Sequence, residues 1–355
     1  MAMPPASERG FNPAYDPKVL AAEASTFQND FYARCVDLRN FYRDTFAGFH
    51  PKLAVVLGSG LGGLVKHSIF KAGDSLDYAS IPHMAQPQTP NHEGKLYWGM
   101  VEGLPIMAFA GRVQTTDYLT WNTTPQRAAR LATLHLTAIK GLNIDAVVLT
   151  SAAGLVKRNY ADRKIKVGDV VVAADYTNYL PITNPLLASR DQRLGAPFNG
   201  RKDIVDPRLY RYLAGALGKR CHVGSYVLSP STPMFESRRD LIRVVPSNEV
   251  SSSAPDSLTV VGMSMAPELD ALLQSNDPPE NPEGFDRKPR ILPFSLVTNI
   301  IDRPSLPTKY TVEHQVSGNP ATHNEVVDAG HAAEEHLIPA FVDFCGRLQR
   351  ELANS

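Results

Sequence analysis

A group of glycines follows an apolar segment early in the chain, in the sequence VVLGSGLGG. Gly58, Gly60 and Gly63 have the spacing G-x-G-x-x-G, which lets a backbone approach the pyrophosphate of a dinucleotide closely. Ser59 stands between the first two glycines, and its hydroxyl can donate a hydrogen bond. These residue types indicate an anion-binding loop, with either NAD or free phosphate as the anion.

An NAD site requires more than the glycines. The second strand of a dinucleotide-binding unit ends in an acidic residue about 20 residues further on. Asp74 and Asp77 lie near that position, but the surrounding sequence KAGDSLDYASIP is not an apolar strand that ends in an acid. The sequence therefore disfavours an NAD-dependent oxidoreductase.

Small and polar residues also end the later strand-like segments, as in TSAAG, PMFES and VGMSMAPE. Arg112 follows PIMAFAG, and Asn299 follows FSLVT. Ligands of α/β sheets bind beyond the carboxyl ends of the strands. Hydroxyls, backbone N–H groups and an arginine fork suit an oxyanion such as phosphate. Phe235 offers a stacking face, and Glu236 and Asn299 offer hydrogen bonds to a polar planar ring.

Strand-like and helix-like segments alternate along the chain, and they must position these residues. Strands are predicted for KLAVVLG, DAVVLTSAAG, GDVVVAADY, HVGSYVLSP, SLTVVG and RILPFSLVTN, and a pair of strands for GKLYWGMVEGLPIMAFAGR. One helix is predicted for TPQRAARLATLHLTAIKGL, with Thr124 as N-cap before Pro125. Further helices are predicted for DPRLYRYLAGALG and THNEVVDAGHAAEEHLIPAFVDFCGRLQREL. The alternation predicts an α/β fold with a central mixed sheet flanked by helices.

The chain contains no convincing linker between two domains. We expect a flexible N-terminal arm over residues 1–26 and a single domain over residues 27–355. Two stretches rich in proline, serine and acidic residues predict surface loop insertions near residues 246–257 and 275–289.

The composition excludes several partners. The chain has 36 Lys and Arg against 36 Asp and Glu, so no overall charge attracts nucleic acid or an anionic membrane. No apolar run reaches the roughly 20 residues of a membrane helix, and the N-terminus lacks the pattern of a secretory signal. Cys35, Cys221 and Cys345 lack metal-site spacing. We therefore expect a cytoplasmic protein without a metal, a membrane partner or a nucleic-acid partner.

Several motifs occur together in a fixed order: GSGLGG, NHEGKL, GR, TSAAG, PMFES, VGMSMAPE, FSLVTN and THNEV. In this order they resemble the motifs of purine nucleoside phosphorylases of the trimeric class, from about Lys52 to the last helix. The resemblance implies a nucleoside phosphorylase-like fold, with a partly barrel-like sheet, and a homotrimer. It also implies purine salvage by reversible phosphorolysis of 6-oxopurine (deoxy)ribonucleosides such as inosine and guanosine, with inorganic phosphate as co-substrate and no cofactor.

The resemblance assigns roles to individual residues. It implies phosphate contacts from Ser59, His92, Arg112, Gln114, Ala152 and Ser264. It implies base contacts from Ala153, Gly154, Phe235, Glu236 and Asn299. It implies ribose contacts from Met263, Thr116 and His323, and insertion of Phe198 into the site of a neighbouring subunit. Catalysis would depend on Asn299, Glu236 and His323. Glu236 would accept from N1–H of a 6-oxopurine, a group that adenine lacks.

The chain departs from the family at four positions in or beside three of these motifs. Gln114 replaces a histidine that contacts phosphate, and Thr116 replaces a tyrosine near the ribose. Ser151 replaces the asparagine of T-N-A-A-G, and Ile300 follows Asn299 where the family has lysine or valine. These changes leave the three residues of the base clamp, Phe235, Glu236 and Asn299, intact.

Other interpretations stay open at the level of sequence. The same fold could act on adenosine or 5′-methylthioadenosine, hydrolyse nucleosides, or bind them without turnover. Taken singly, Arg112 is compatible with a surface ion pair, Glu236 with a helix cap and Asn299 with a turn. Release of purine from inosine with and without phosphate distinguishes these functions.

Overall fold

The computed structural model describes residues 17–66, 71–90, 92–119, 123–157, 165–180, 184–187, 191–196, 203–229, 258–302 and 323–355. The strands are β1 (Leu53–Leu57), β2 (Lys71–Asp77), β3 (Lys95–Val101), β4 (Leu104–Ala110), β5 (Ala146–Lys157), β6 (Val170–Asn178), β7 (Cys221–Leu228), β8 (Leu258–Gly262) and β9 (Arg290–Asp302). The helices are α1 (Pro17–Thr45), α2 (Gly63–Lys66), α3 (Pro125–Ala132), α4 (Leu134–Lys140), α5 (Pro207–Leu217), α6 (Met265–Leu273) and α7 (His323–Ala353).

The strands form one mixed sheet in the order β2-β3-β4-β1-β5-β8-β7-β6-β9. β9 also pairs with β5 in parallel, so β5, β8, β7, β6 and β9 close into a five-stranded barrel. The remaining four strands extend from β5 as an open sheet. The predicted mixed and partly barrel-like sheet is confirmed.

The sheet is buried on both sides because its side chains alternate between two apolar cores. In β1, Ala54 and Val56 belong to the core packed with residues of α1, α4 and α6. Leu53, Val55 and Leu57 belong to the other core, which includes residues of α5 and α7. This double burial explains why β1 reads as a continuous apolar run rather than an alternating one.

Local signals in the sequence position the strands and helices. The predicted pair of strands around EG is β3 and β4, joined at Glu102 (φ 50°) and Gly103 (φ 80°), and positive φ at both central residues favours a tight hairpin. Thr124 caps α3 as predicted, because its side chain accepts from Arg127 N at 3.3 Å, with Pro125 in the first turn.

The edge strand β2 tests the dinucleotide interpretation. KAGDSLD forms a strand, contrary to expectation, but it pairs antiparallel with β3 and lies at the edge of the sheet, separated from β1 by β3 and β4. A dinucleotide fold needs a parallel strand reached through a crossover helix. The arrangement of β1 and β2 is therefore incompatible with that fold.

Three other predicted boundaries differ from the structure. α1 begins at Pro17, so residues 17–26, the last part of the predicted arm, are helical. The predicted helix after Thr124 is two helices, because Thr133 leaves helical geometry and its Oγ1 donates to the carbonyl oxygens of Ala129 and Arg130. Residues 275–289 form no helix or strand, but they are not wholly a surface loop, since Phe285 and Asp286 are fully buried. Residues 246–257 lie outside the described residues.

Among the described residues, no helix combines the length and apolar character needed to cross a membrane.

Candidate active site

The glycine-rich loop begins where β1 ends, and β5 holds its first residue. Gly58 N donates to Thr150 Oγ1 at 3.0 Å, and that hydroxyl donates to Val56 O at 2.9 Å. A Cβ on Gly58 would lie 3.0 Å from Thr150 O and 3.1 Å from Arg112 Nη1. Any larger residue here would push against neighbouring protein atoms, including the arginine, so glycine lets the loop lie close to them.

The other two glycines of the loop face α7. Gly60 has φ +75°, and a Cβ on it would lie 3.0 Å from Gly330 Cα. A Cβ on Gly63 would lie 1.8 Å from Oε1 of Glu334, so a carboxylate of the chain itself occupies the space beside Gly63. In a dinucleotide fold, the pyrophosphate lies against the start of the helix that follows these glycines. Gly60 and Gly63 therefore permit close packing of the loop against α7.

Arg112 lies just after β4 and is almost completely buried, with 2% of its surface exposed. Its Nε and Nη2 donate to the two carboxylate oxygens of Glu268 at 2.7 and 2.8 Å. Nη2 also donates to Thr150 O at 2.6 Å, and Nη1 donates to Ser264 Oγ at 3.3 Å. Burial alone lowers the pKa of Arg112, but the Glu268 carboxylate reverses this and the pKa is raised. The guanidinium is thus fixed in charge and in orientation, with Nη1 beside Ser264.

His92 links the loop to Arg112. Its Nδ1 lies 3.0 Å from Arg112 O, and its Nε2 lies 3.0 Å from Ser59 Oγ. A carbonyl oxygen only accepts, so Nδ1 carries the proton in this arrangement. In the neutral ring Nε2 then accepts, and Ser59 is the donor in that pair.

Ser264 is held by its backbone at the start of α6. Its N–H donates to the hydroxyl of Tyr226 at 3.0 Å, and Met265 N donates to the same oxygen at 3.2 Å. Tyr226 is fully buried in β7, and it lies so close to Gly262 that a Cβ there would be 2.7 Å from the hydroxyl. The first turn of α6 also contains Glu268, so a single helix start positions both Ser264 and the partner of Arg112.

The middle of β5 lies beside β9, and an extra residue in β9 changes their register. Ala153 pairs with Val297, but Gly154 pairs with Asn299, so Thr298 is unmatched. Thr298 Oγ1 lies 3.4 Å from Ala153 O and donates to Asn299 Oδ1 at 3.2 Å. The bulge places Asn299, which is partly exposed, beside Gly154.

The serine that replaces the asparagine of T-N-A-A-G has a partner in β9. Ser151 Oγ lies 2.7 Å from Ser295 Oγ, and both residues are buried. Ser295 thus gives the buried hydroxyl of Ser151 a hydrogen-bond partner.

A cavity of about 190 Å³ adjoins the Arg112 cluster. Its lining includes Gln114, Thr116, Met263, Ser264 and Glu268. Gln114 N donates to Asp117 Oδ2 at 2.7 Å, which holds the turn that bears Thr116. Burial raises the pKa of Asp117, although backbone hydrogen bonds from Gln114 and Gln88 oppose that shift. No group of three or more metal-ligating side chains occurs in the part of the chain that the structure describes.

The sequence family of the chain follows from a match over most of its length. The family model described as Phosphorylase superfamily matches residues 52–272. The chain belongs to the phosphorylase superfamily. This span includes the glycine loop, Arg112, the TSAAG strand and Glu268.

Similar proteins agree with this family. The chain is 28% identical over 299 residues to the purine nucleoside phosphorylase of Bos taurus, covering 81% of this chain and 86% of that protein. It is 29% identical over 298 residues to the purine nucleoside phosphorylase of Mus musculus, with the same two coverages.

A solved structure of purine nucleoside phosphorylase from Schistosoma mansoni in complex with adenosine has a TM-score of 0.65 to this chain. The match has 21% identity and covers 88% of this chain and 96% of the other. An isoform from the same organism, in complex with cytosine and ribose-1-phosphate, has the same TM-score at 22% identity, covering 89% of this chain and 97% of the other. The predicted nucleoside phosphorylase-like fold and family are confirmed.

The structure brings together most of the residues that the resemblance selected for phosphate. Hydrogen bonds link Ser59 to His92, His92 to Arg112, and Arg112 to Ser264. Ala152 lies in β5, directly after the Ser151–Ser295 pair. Phe198, Phe235 and Glu236 lie outside the described residues, and His323 begins α7. The base clamp and the subunit contact therefore stay predictions.

Sequence reasoning missed three residues that support this site, namely Thr150, Tyr226 and Glu268. Thr150 and Glu268 stand inside the motifs TSAAG and VGMSMAPE, but no role was assigned to them. A buried arginine needs a partner, so the carboxylate at the end of VGMSMAPE was the available signal for Glu268. Nothing in the sequence around Tyr226 indicates that its hydroxyl accepts from the start of α6.

Proposed function

We propose that this protein catalyses the reversible phosphorolysis of 6-oxopurine nucleosides such as inosine and guanosine. The products are the free purine and (deoxy)ribose 1-phosphate. The observation that carries the proposal is the guanidinium of Arg112, which is buried, locked by Glu268 and directed with Nη1 toward Ser264. A fixed cation among hydroxyl groups at the strand ends is a built site for phosphate.

Each donor around Arg112 has a place in phosphate binding. Arg112 Nη1 and the hydroxyls of Ser59 and Ser264 bind phosphate oxygens, together with the N–H of Ala152. His92 donates from Nε2 once it is protonated, and its pairing with Ser59 in the free protein places it at the edge of the site. Gln114, which lines the cavity with Ser264, supplies a neutral donor in place of the histidine of the family.

The reaction separates charge along the bond between purine and sugar. Positive charge develops on the ribose and negative charge on the departing purine. Phosphate held by Arg112 is both the nucleophile and the counter-ion of the ribose. The Asn299 amide, directed at N7, stabilises the purine as it leaves. The bulge at Thr298 supports this role because it fixes the position of Asn299 and engages its Oδ1, so the amide NH₂ is the group left to donate.

The remaining contacts rest on the resemblance. Phe235 lies along the purine and Glu236 accepts from its N1–H, with Ala153 and Gly154 beside the ring. Met263 and Thr116 line the ribose side, and His323 binds the 5′-hydroxyl. The location of Gly154 opposite Asn299, and of Met263 and Thr116 on one cavity, supports these assignments.

The test of the function is the release of hypoxanthine from inosine with and without inorganic phosphate. We expect release that depends on phosphate and yields ribose 1-phosphate. Equal release without phosphate would instead identify a hydrolase, and no release would indicate a binding or inactive protein. Comparison of inosine with adenosine and 5′-methylthioadenosine measures the preference for a 6-oxopurine.

Three further features belong to the proposal. The enzyme uses no cofactor or metal, so dialysis against a chelator leaves the rate unchanged. It forms a homotrimer in which Phe198 enters the neighbouring site, and light scattering measures its mass. It acts in the cytoplasm, which fits three cysteines that are all free, two of them buried.

Asn299→Ala tests the leaving-group step. We expect kcat to fall by at least about 10², because a preorganised donor to the developing charge is lost. Steady-state kinetics with inosine measure the change, and Asn354→Ala at the exposed C-terminus is the control. Wild-type turnover in Asn299→Ala would remove Asn299 from the mechanism.

A further inference from the structure

The loop that bears Ser59 rests directly on the backbone of α7. A Cβ on Gly60 would lie 3.0 Å from Gly330 Cα and 3.1 Å from Val326 O. In the reverse direction, a Cβ on Gly330 would lie 2.3 Å from Gly60 O and 2.5 Å from Gly60 Cα. The two backbones are thus in contact with no side chain between them.

The opposite side of the loop is equally crowded. Gly58 is packed between Thr150 O and Arg112 Nη1, at 3.0 and 3.1 Å from the position of a Cβ. Ser59 lies between these two contacts, and its Oγ is 3.0 Å from His92 Nε2. The position of the serine therefore depends on two supports, β5 with Arg112 on one side and α7 on the other.

We propose that Gly330 is a positioning residue for phosphate binding, because the α7 backbone at Gly330 sets the position of Gly60 and thereby of the Ser59 hydroxyl. The inference rests on the proposed function, in which Ser59 binds phosphate. α7 begins at His323, about two helical turns before Gly330. A single helix therefore starts at the proposed ribose contact and supports the phosphate loop.

Gly330→Ala tests this role, and Gly346→Ala in the same helix is the matched control. Both glycines are buried, but a Cβ on Gly346 has its nearest neighbour at 3.4 Å, a side-chain atom of Arg350. We expect Gly330→Ala to raise the KM for phosphate by about tenfold or more, since the loop must shift away from α7. Its KM for inosine should change less, and Gly346→Ala should leave both constants unchanged.

A double variant shows whether the effect passes through Ser59. In a Ser59→Ala background, Gly330→Ala should produce no further rise in the KM for phosphate, because the hydroxyl that it displaces is absent. An equal rise in both backgrounds would overturn the proposal.

Hydrogen exchange on the unmodified protein tests the same contact if Gly330→Ala fails to fold. Inorganic phosphate should protect the amides of residues 58–63 and those of residues 326–334 together. Protection of the loop without protection of α7 would overturn the proposal. The proposed function fails separately, when the unmodified protein shows no phosphate-dependent release of purine from inosine.

Discussion

Arg112 and Arg130 are the two most deeply buried arginines of the described residues, at 2% and 0% exposure, yet their surroundings differ. Arg112 meets a carboxylate through two hydrogen bonds, and its pKa is raised. Arg130 meets the amide oxygen of Gln274 at 2.7 Å and the ring of Phe31 at 4.7 Å from its centroid. Burial lowers the pKa of Arg130 to about 10, and no hydrogen-bond partner for its Nε or Nη1 occurs among the described residues.

A second cation adds to the imbalance around Arg130. Lys140 is buried nearby, and its Nζ donates to the backbone oxygens of Gln274 and Leu194. Burial, with a smaller contribution from Arg130, lowers the pKa of Lys140 to about 7. Gln274 also donates to Gly195 O at 3.1 Å, so this cluster joins α3, α4 and the end of α6 to the segment 191–196.

The Arg112 and Arg130 clusters use a buried cation in different ways. At the proposed phosphate site, the carboxylate of Glu268 fixes the guanidinium of Arg112 in place and keeps it charged. At the Arg130 cluster, carbonyl and amide oxygens hold chain segments together, and the charge there is costly because no carboxylate balances it as fully as Glu268 does Arg112. We therefore expect substitutions at the first cluster to change catalysis and substitutions at the second to change stability.

The largest effect is expected when the carboxylate that pairs with Arg112 is replaced by an amide, the kind of group that pairs with Arg130. Glu268→Gln keeps the shape of the side chain but replaces one acceptor with an NH₂ group, so the two-bond pairing with Arg112 is lost. We expect kcat/KM for phosphate to fall by about 10². Glu283→Gln is the control, because Glu283 also pairs with a buried arginine, Arg39, but away from the site. Equal small losses in both variants would show that Glu268 is only a structural partner.

An intermediate effect, on stability rather than on rate, is expected at Lys140. Between the folded pKa of about 7 and the ordinary value of 10.5, the unfolded chain binds more protons at this lysine than the folded chain. Stability should therefore rise with pH, on the order of 2 kcal/mol from pH 7 to pH 9. Lys140→Met should remove this rise.

Denaturant unfolding at pH 7, 8 and 9 measures the slope. Burial raises the pKa of the Cys35 thiol to about 12, so this group lowers stability as the unfolded thiol ionises near pH 9. For this reason the difference in slope between the wild type and Lys140→Met, rather than the slope of either protein, is the measure of Lys140. The remaining charged groups that act on Lys140 are Arg130 and Asp286, which keep their charge over this range. An equal slope of stability against pH in the wild type and in Lys140→Met would show that a group other than Lys140 titrates.

The smallest effect is expected from adding a second cation to the phosphate site. Gln114→His restores the residue of the family at a position that lines the same cavity as Ser264 and Glu268. We expect the KM for phosphate to fall by a few-fold, since a charged donor binds phosphate more strongly than an amide. Kinetics below and above the pKa of histidine measure the gain, which should be confined to low pH. An unaltered KM at both values would show that Arg112 supplies the required charge alone.

The parts of the fold that depend on local signals could be predicted from sequence. The apolar run of β1, the turn at Glu102 and Gly103, and the cap at Thr124 each follow from neighbouring residues. The break at Thr133 was missed, because helical periodicity continues across it and only its hydrogen bonds interrupt the helix. The strand β2 was missed because its polar sequence forms a strand only by pairing with β3.

The site residues at the strand ends could be predicted from sequence, but the residues that support them from distant parts of the chain could not. Ser59, Arg112 and Ser264 were selected from strand-end positions, and the structure brings them together. Glu268 lies 156 residues from Arg112 in sequence, and Gly330 and Glu334 reach the glycine loop from the last helix. Such pairings depend on the closed barrel and on the placement of α7, which no local pattern specifies.

The bulge in β9 also limits how this gene can vary over evolution. One unmatched residue, Thr298, changes the phase of the strand just before Asn299. Deletion of one codon between the start of β9 and Asn299 would restore the regular alternation of side chains along the strand. The side-chain amide of Asn299 would then lie on the opposite face of the sheet. We therefore expect the length of this strand from Arg290 to Asn299 to be invariant among active members.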